Sequence, residues 1–346
     1  KIFNNKKNYP LIIFKNGKVI FFDKENYVST IKGTKINIIS DNGFKDIELK
    51  GMFLNDSIFV SLKKREKDSK PSTDIILKVA NLDLLIKTNF FNNKKSKEIQ
   101  NGNILIKKDK QRFTGVFDYK DGKININKSN LKNLFLKGTL NGIISFSPYF
   151  DFNLDLVLDS INFTKLYNHF LTLDEIEQKK IFDINKKING NLNFSSNKVY
   201  SSYNLVKSFE SRLKFNNGSL IVEQFLFNLG KLGAADISGV VGSDKKYTNF
   251  KYESNIFVDN QKKFLSKFGI YNKEILPSNL FISGNLDLKN FKSTFYEISH
   301  DEKIKEDDIN FIEEEFNEII LKNGYDNLFR FPKFVEFLKS VTSDNN

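Results

Sequence analysis

Several residue types that commonly carry protein chemistry are absent or scarce in this sequence. It has no cysteine and only two histidines among 346 residues. Disulfides, zinc–thiolate sites and thiol catalysis are therefore excluded. No apolar run approaches the roughly 20 residues that span a bilayer, and no charged-then-apolar signal segment opens the chain. We expect a soluble segment, and because the sequence begins with Lys1 rather than Met, we expect any anchor of the parent protein to lie outside it.

The charge balance of the chain is basic but diffuse. Lys and Arg number 54 against 42 Asp and Glu, which gives a net charge of +12. Such an excess can indicate nucleic acid or an anionic membrane as partner. Here it is mostly lysine scattered beside Asn, Ile and Phe, the bias of an AT-rich genome, and the sequence offers no basic helix or arginine cluster for reading bases. We therefore predict no nucleic-acid partner.

No set of residues in the sequence forms a convincing catalytic or metal site. His169 lies between apolar neighbours of a predicted helix, and His300 lies in a charged loop. The acidic cluster lacks the glycine-containing spacing of an EF-hand and suits the solvated face of a helix N-terminus. We predict no catalytic residue, no metal and no cofactor. The acidic cluster consists of Glu306, Asp307, Asp308, Glu313, Glu314 and Glu315.

The glycines of "NLGKLGAADISG", namely Gly230, Gly233 and Gly239, superficially resemble a phosphate-binding loop. They precede a predicted strand rather than a helix, so the helix N-terminus that such loops use is missing. We interpret them as turn and bulge glycines.

Strand and turn signals dominate the chain. Seven of eight Asx-Gly dipeptides stand beside strand-like runs such as "QNGNILIKK" and "KDGKININ", which is typical of hairpins. The pattern predicts a mostly antiparallel β fold. The dipeptides begin at Asn16, Asn42, Asn101, Asp121, Asn141, Asn189, Asn217 and Asn323.

The predicted strands are apolar on one side only. In "DFNLDLVLDS", apolar residues alternate with mainly acidic or amide residues, so one face is apolar and the other polar. The same alternation occurs at Leu82, Leu84 and Ile86, and at Ala235, Ile237 and Val241. It recurs at Ile282, Leu286 and Leu288.

The clearest hairpin surrounds Asn217-Gly218, a dipeptide that suits a two-residue turn. Pairing across it places Phe215 beside Leu220 and Leu213 beside Val222 on one apolar face. The period of two then places the remaining side chains on the opposite face. That face is expected to carry Arg212, Lys214, Ser219, Ile221, Glu223 and Phe225.

Helices are predicted in three places. Phe163, Leu166, Tyr167 and Phe170 form one apolar stripe, and the pair Thr172 and Glu175 resembles a capping box for a short second helix. The acidic segment after Asn290 predicts a helix ending near Gly324, and Pro332 suits the first turn of a last helix. These patterns predict three regions: a hairpin meander over 1–150, a β module with short helices over 151–292, and an acidic helical tail over 293–346.

The ordered series "LKFNNGSLIVEQFLFNLGKLGAADISGVV", "KFLSKFGIYN" and "LPSNLFISGNLDLKN" resembles the C-terminal region of the AsmA-like family, which includes AsmA and TamB relatives. In that family a strand closing in F-x-N-G leads to L-G-x-L-G, an "isG" strand and a later "isGnl" strand. The resemblance covers Leu154 to Lys289 and rests on the order of turns and glycines. The first 150 residues resemble the family only in their general pattern of strands and turns.

The resemblance implies a Gram-negative envelope protein in the periplasm, anchored in the inner membrane by a helix that this chain lacks. It also implies a long curved antiparallel sheet, a taco-like groove whose apolar lining holds phospholipid in transit between the inner and outer membranes. At its length the chain would form a partial groove or a cap on a longer one. The residues expected to line it are Phe152, Leu154, Leu156, Leu158, Leu213, Phe215, Leu220, Val222, Ile237, Val241, Ile282, Leu286 and Leu288.

Two alternatives stay open at this point. The same apolar side chains can pack against a second layer as an ordinary core. The chain can also be a structural or assembly factor that engages outer-membrane proteins through exposed strand edges, in which case protein should cover the apolar face.

Overall fold

The computed structural model describes residues 9–23, 26–41, 43–53, 56–65, 71–92, 100–145, 150–186, 188–201, 203–243, 248–271, 278–300 and 304–342. Within these ranges the chain forms 19 β-strands and six short α-helices. The strands belong to one mostly antiparallel sheet that is not closed into a barrel, and the C-terminal region is helical. The predicted fold class is therefore confirmed.

The first of two compact units is a succession of antiparallel hairpins. Each of its first eight strands pairs antiparallel with the next one along the chain. The last strand is divided, with Phe135–Gly138 in the second unit and Thr139–Ser147 in the first. The strands are β1 Tyr9–Asp23, β2 Asn26–Asp41, β3 Phe44–Phe53, β4 Asp56–Arg65, β5 Ser72–Val79, β6 Leu84–Asn92, β7 Gln100–Lys108, β8 Gln111–Lys120, β9 Lys123–Lys132 and β10 Leu136–Ser145.

The second unit combines the remaining strands with the helices, and it includes the helical C-terminal region. The predicted region boundaries after residues 150 and 292 stay predictions. Its strands are β11 Asp151–Asn162, β12 Asn189–Ser196, β13 Val199–Tyr200, β14 Ser208–Asn216, β15 Ser219–Asn228, β16 Gly233–Ser243, β17 Thr248–Val258, β18 Asn279–Asp287 and β19 Lys292–Ser299. Its helices are α1 Phe163–Leu171, α2 Glu175–Lys180, α3 Gln261–Lys267, α4 Glu306–Phe316, α5 Tyr325–Leu328 and α6 Phe331–Thr342, and a π-helical turn, Asn317–Leu321, follows α4.

One crossover interrupts the antiparallel pattern. β11 pairs in parallel with β12 and β13. Parallel neighbours need a connection that returns the chain to the starting end of the first strand, and α1 and α2 provide it. The remaining strands of this unit, from β14 to β19, pair antiparallel with their chain neighbours.

The Asx-Gly dipeptides are not all turns. Asn217-Gly218 and Asp121-Gly122 form the predicted two-residue hairpin turns, because Asn216 pairs with Ser219 and Lys120 with Lys123. The dipeptides at Asn16, Asn101, Asn141 and Asn189 lie inside strands instead, so the hairpin interpretation was wrong there. The one at Asn323 ends a helical segment, and Asn42 lies outside the described residues.

Close packing explains two of these strand glycines. A Cβ at Gly102 would lie 2.3 Å from the Phe117 ring on the neighbouring strand, and one at Gly190 would lie 2.3 Å from the Phe152 carbonyl oxygen. Glycine is used where another group approaches the backbone this closely. The Asn-Gly dipeptide therefore has a second role in this chain. Within a strand, its glycine leaves room for an aromatic residue of the adjacent strand.

A β-bulge corrects one predicted face. Leu213 pairs with Val222 and Phe215 with Leu220, as predicted, but the register then shifts so that Phe225 pairs with Ser211. An extra residue in one strand moves every later side chain to the other face. Phe225 consequently packs with the apolar cluster around Phe209 rather than on the polar face.

The helices agree with the sequence pattern except at one cap and one omission. Asp174, not Thr172, caps α2, and its carboxylate accepts from the Glu177 amide at 2.8 Å. The Thr172 hydroxyl instead donates to the His169 carbonyl at 2.7 Å, which closes the end of α1. Helix α3 was not predicted; its Leu265 is buried against the C-terminal helices.

The edge of β19 is covered by side chains of the helical tail. The Ser293 amide donates to Asn317 Oδ1 at 2.8 Å, and Asn317 Nδ2 donates to the Ser293 carbonyl at 3.0 Å. The Phe295 amide donates to Glu313 Oε2 at 2.9 Å. Covering an edge in this way satisfies backbone groups that would otherwise be open to another strand.

Candidate functional site

The register of the second unit gathers the predicted lining residues on one face. Paired residues across neighbouring strands point to the same side of a sheet. Twelve of the thirteen residues lie in four such rows, and Leu288 directly follows β18. The rows are Phe152, Gly190, Phe215, Leu220, Val241, Phe250 and Leu286; Leu154, Leu192, Leu213, Val222, Gly239, Tyr252 and Gly284; Leu156, Phe194, Ser211, Phe225, Ile237, Ser254 and Ile282; and Leu158, Ser196, Phe209, Phe227, Ala235, Ile256 and Leu280.

The opposite face of the same strands is mainly polar, although Val157, Leu226 and Val240 are exposed on it. Asn193 Nδ2 donates to Asp155 Oδ1 at 2.7 Å, and Arg212 donates to Gln224 Oε1 at 3.0 Å. Lys214 and Lys251 are exposed on this side. The one-sided character predicted from the sequence is thus present in the second unit.

Protein covers both ends of this apolar face. Leu158 is fully buried, and Leu166 of α1 packs against its cluster. Leu286 packs against the buried residues Ile320 and Leu321 of the helical tail. These contacts make the ends of the face a closed core.

Between those ends the face is less enclosed. Leu154, Leu213, Phe215, Ile237 and Ile282 are all half-buried. Val222 and Val241, by contrast, are only 8% and 7% exposed. The predicted role of these residues as lipid contacts stays a prediction, because their positions alone agree with both a ligand surface and a core.

The first unit carries a longer apolar face, which we call the β2–β9 apolar face and which sequence reasoning missed. One unbroken row of apolar residues crosses eight strands, and every member is half-buried. Among the described residues of this unit there is no helix to cover it. The row consists of Ile36, Leu49, Val60, Leu77, Ile86, Ile106, Phe113 and Leu131.

A second row beside the first one is also mainly apolar. Ile38 is buried, and Ile47, Leu62, Ile75 and Ile104 are half-buried. The alternation of apolar residues within each strand, for example Leu84 and Ile86 of β6, was the sequence signal that could have identified this face. Leu82, which was grouped with them, lies in the preceding turn and is 50% exposed.

The other side of the first unit holds an open cavity of about 680 Å³. Its surface is mostly apolar, with Ile76, Leu105 and Val116 in the lining, and lysine, amide and hydroxyl side chains stand among them. A Lys63–Asp46 ion pair of 3.0 Å lies at its margin, with the Asp46 side chain 15% exposed.

Histidine and acidic residues form no metal site within the described ranges. His169 is exposed and contacts Phe135, with ring centroids 5.7 Å apart, and His300 is exposed. The acids Glu306, Asp307 and Asp308 occupy the first turn of α4, where a helix favours negative charge. Gly230 begins a short 3₁₀ turn, Gly233 is the first residue of β16, and Gly239 lies inside that strand.

Two tyrosines with raised pKa values are structural. Burial, together with the nearby Glu313 carboxylate, raises the pKa of Tyr252 to about 12. Burial also raises the pKa of Tyr325 well above its usual range, and its hydroxyl donates to the Leu288 carbonyl at 2.7 Å. The Tyr325 hydroxyl, in α5, therefore ties the helical tail to the residue that follows β18.

In the described residues no helix is long and apolar enough to cross a bilayer. No protein-family model, no curated protein and no solved structure matches the chain. The resemblance to the AsmA-like family accordingly stays a prediction from the sequence.

Proposed function

We propose that this chain is a non-enzymatic segment of an AsmA-like envelope protein that binds phospholipid along an apolar β groove and conducts it between the inner and outer membranes. In this proposal the segment lies in the periplasm, and the parent protein is anchored in the inner membrane. The observation that carries the proposal is the β2–β9 apolar face, with its unbroken half-buried row from Ile36 to Leu131.

An apolar face of this extent needs an occupant. Soluble proteins rarely leave contiguous apolar patches larger than a few hundred Å² open to water. In the second unit the ends of the corresponding face pack against helices, but the first unit has no helix among its described residues. An acyl chain supplies the missing apolar contacts.

The energetics suit transfer rather than permanent capture. Each buried methylene contributes about 0.8 kcal/mol, so a lipid tail of ordinary length gains on the order of 10 kcal/mol in such a groove. The membrane interior offers a similar gain. When the free energy of the lipid is nearly the same in the membrane and along the groove, the lipid can move from one to the other.

The experiment that tests the proposal places a photoreactive amino acid at Leu49, within the half-buried row, and irradiates chain purified from a membrane-bearing host. We expect phospholipid adducts in the mass spectrum. Glu48 is the matched control, because the neighbouring position in a strand points to the opposite face. Equal phospholipid labelling at the two positions contradicts the proposal. So does the absence of phospholipid adducts at Leu49 when the same photoreactive amino acid forms protein crosslinks at other positions.

A second candidate function is supported by exposed apolar side chains of β1. This strand pairs antiparallel with β2, and its Leu11, Ile13 and Phe14 are 50%, 46% and 50% exposed. In this function a strand of an outer-membrane protein adds to the sheet beside these side chains by β-augmentation. Ile13→Pro removes one backbone N–H of β1. If strand addition is the function, this variant loses a partner that Leu49→Glu retains.

A further inference from the structure

Six basic residues that are scattered in the sequence meet in one row at one end of the first unit. The register pairs each member with the next across β2 to β9, on the face opposite the β2–β9 apolar face. No acidic residue occurs in this row. We call it the basic rim; it runs Lys35, Lys50, Phe59, Lys78, Leu85, Lys107, Arg112 and Lys132.

The charges of the basic rim are exposed and unneutralised. All six cationic side chains are solvent-exposed, and within the described part of the chain none of them forms an ion pair. Like charges directly opposite one another destabilise a pair of strands, as in Lys107 beside Arg112 and Arg112 beside Lys132. An external anion lying across the strands would remove this repulsion.

Apolar side chains protrude next to the basic rim. Met52, Leu82 and Leu134 are 44%, 50% and 57% exposed. Met52 lies two residues beyond Lys50, Leu82 lies in the turn between β5 and β6, and Leu134 lies two residues beyond Lys132. Cationic residues beside exposed apolar tips are typical of proteins that bind the bilayer surface, where lysine attracts anionic lipid and the tips enter the interface.

Acidic residues near the rim are few. Asp56, Asp83 and Asp109 lie at the same strand ends, and the Asp56 carboxylate already accepts from the Asn81 amide at 3.1 Å. Exposed Lys32, Lys108 and Lys110 add further positive charge there. The end of the sheet is therefore basic as a whole.

We propose that the basic rim docks this chain on the headgroups of an anionic phospholipid bilayer. A nucleic acid fits less well, because single-strand binders stack bases on open aromatic rings. The one aromatic ring of the rim, Phe59, is half-buried and lies between two ammonium groups, Lys50 Nζ and Lys78 Nζ, each 5.9 Å from its centre. Docking holds whether or not the apolar face carries lipid.

The test is cosedimentation with vesicles of phosphatidylcholine alone and of phosphatidylcholine with phosphatidylglycerol in equal parts. We expect binding to the second kind only, weakening as salt is raised. The variant carrying Lys50→Gln, Lys78→Gln and Lys107→Gln should bind about 100-fold more weakly, since each surface cation contributes roughly a factor of five. Its circular dichroism should be unchanged, because all three side chains are exposed.

The control is the triple variant Lys214→Gln, Lys231→Gln and Lys251→Gln, which removes the same charge from exposed positions of the second unit and should bind the vesicles almost normally. Leu82→Ser with Leu134→Ser should weaken the binding that remains at high salt. The proposal is overturned if the unaltered chain ignores anionic vesicles, binds both vesicle types alike, or binds normally after the rim substitutions. Displacement by inorganic phosphate beyond that produced by sodium chloride of equal ionic strength, or preference for a single-stranded oligonucleotide over vesicles, overturns it as well.

Discussion

The two apolar faces should respond differently to a buried charge, and Val222→Glu with Leu49→Glu measures that difference. Val222 is 8% exposed between Leu213 on β14 and Gly239 on β16. Leu49 occupies the corresponding kind of position in the first unit but is half-buried. A carboxylate at Val222 has no water to reach, whereas one at Leu49 keeps part of its hydration.

The expected magnitudes follow from these exposures. Losing the valine side chain costs about 1.5 kcal/mol, and burying a carboxyl group without a partner adds about 2 to 3 kcal/mol. A total near 4 kcal/mol lowers the melting temperature of a unit of this size by roughly 10 °C. Leu49→Glu should cost only about 1 kcal/mol, because a half-buried leucine has less transfer free energy to lose.

Thermal melts followed by circular dichroism, combined with lipid extraction, decide the outcome. We expect Val222→Glu to melt early, and Leu49→Glu to melt nearly normally while retaining little phospholipid. Lys214→Glu, on the exposed polar face, is the control and should change neither quantity. A Val222→Glu protein as stable as that control would refute the closed packing at Val222, and normal lipid loading by Leu49→Glu would refute the lipid role of the β2–β9 apolar face.

Three further predictions concern the fold. Phe225→Ala should destabilise the second unit by about 3 kcal/mol in urea unfolding, because the bulge turns this ring into the apolar cluster. Gly102→Ala should cost about 1 to 3 kcal/mol through collision with the Phe117 ring, whereas Gly242→Ala, with open space around it, should cost less than about 1 kcal/mol. Because burial raises the pKa of Tyr252 to about 12, the folded state keeps a proton that the unfolded state releases near pH 10, and stability should fall between these values.

Each of these predictions has its own control. Leu226→Ala, beside Phe225 but 37% exposed on the other face, should have a clearly smaller effect. Equal losses for Gly102→Ala and Gly242→Ala would contradict the packing argument. Tyr252→Phe should flatten the alkaline part of the stability curve, and an unchanged curve would assign that slope to other groups.

Local patterns predicted much of the secondary structure of this chain but not its register. Alternation and the Asn217-Gly218 turn lie within a few residues of each other, so the β14–β15 hairpin could be predicted with its pairs. The bulge that turns Phe225 inward depends on neighbouring strands, and no local signal marks it. Asn101-Gly102 was assigned to a turn because the approach of Phe117, its real cause, is a contact between strands.

The surfaces that matter most for function depend on register throughout. Lys50, Lys78 and Lys107 are separated by more than twenty residues each, and in the sequence they belong to a diffuse excess of lysine. Only the pairing of β3 to β7 aligns them. The same holds for Leu49, Leu77 and Ile106. Each is a common strand residue in the sequence, and only the pairing of the strands places them in one apolar row.

The covered edge of β19 makes strand addition there depend on the helical tail. Asn317 and Glu313 occupy the backbone groups of Ser293 and Phe295, so an incoming strand would have to displace the tail before it could pair there. The helical tail therefore acts as a lock on this edge, and a strand from a partner or from a second copy is expected to pair with β19 only after the tail has been released.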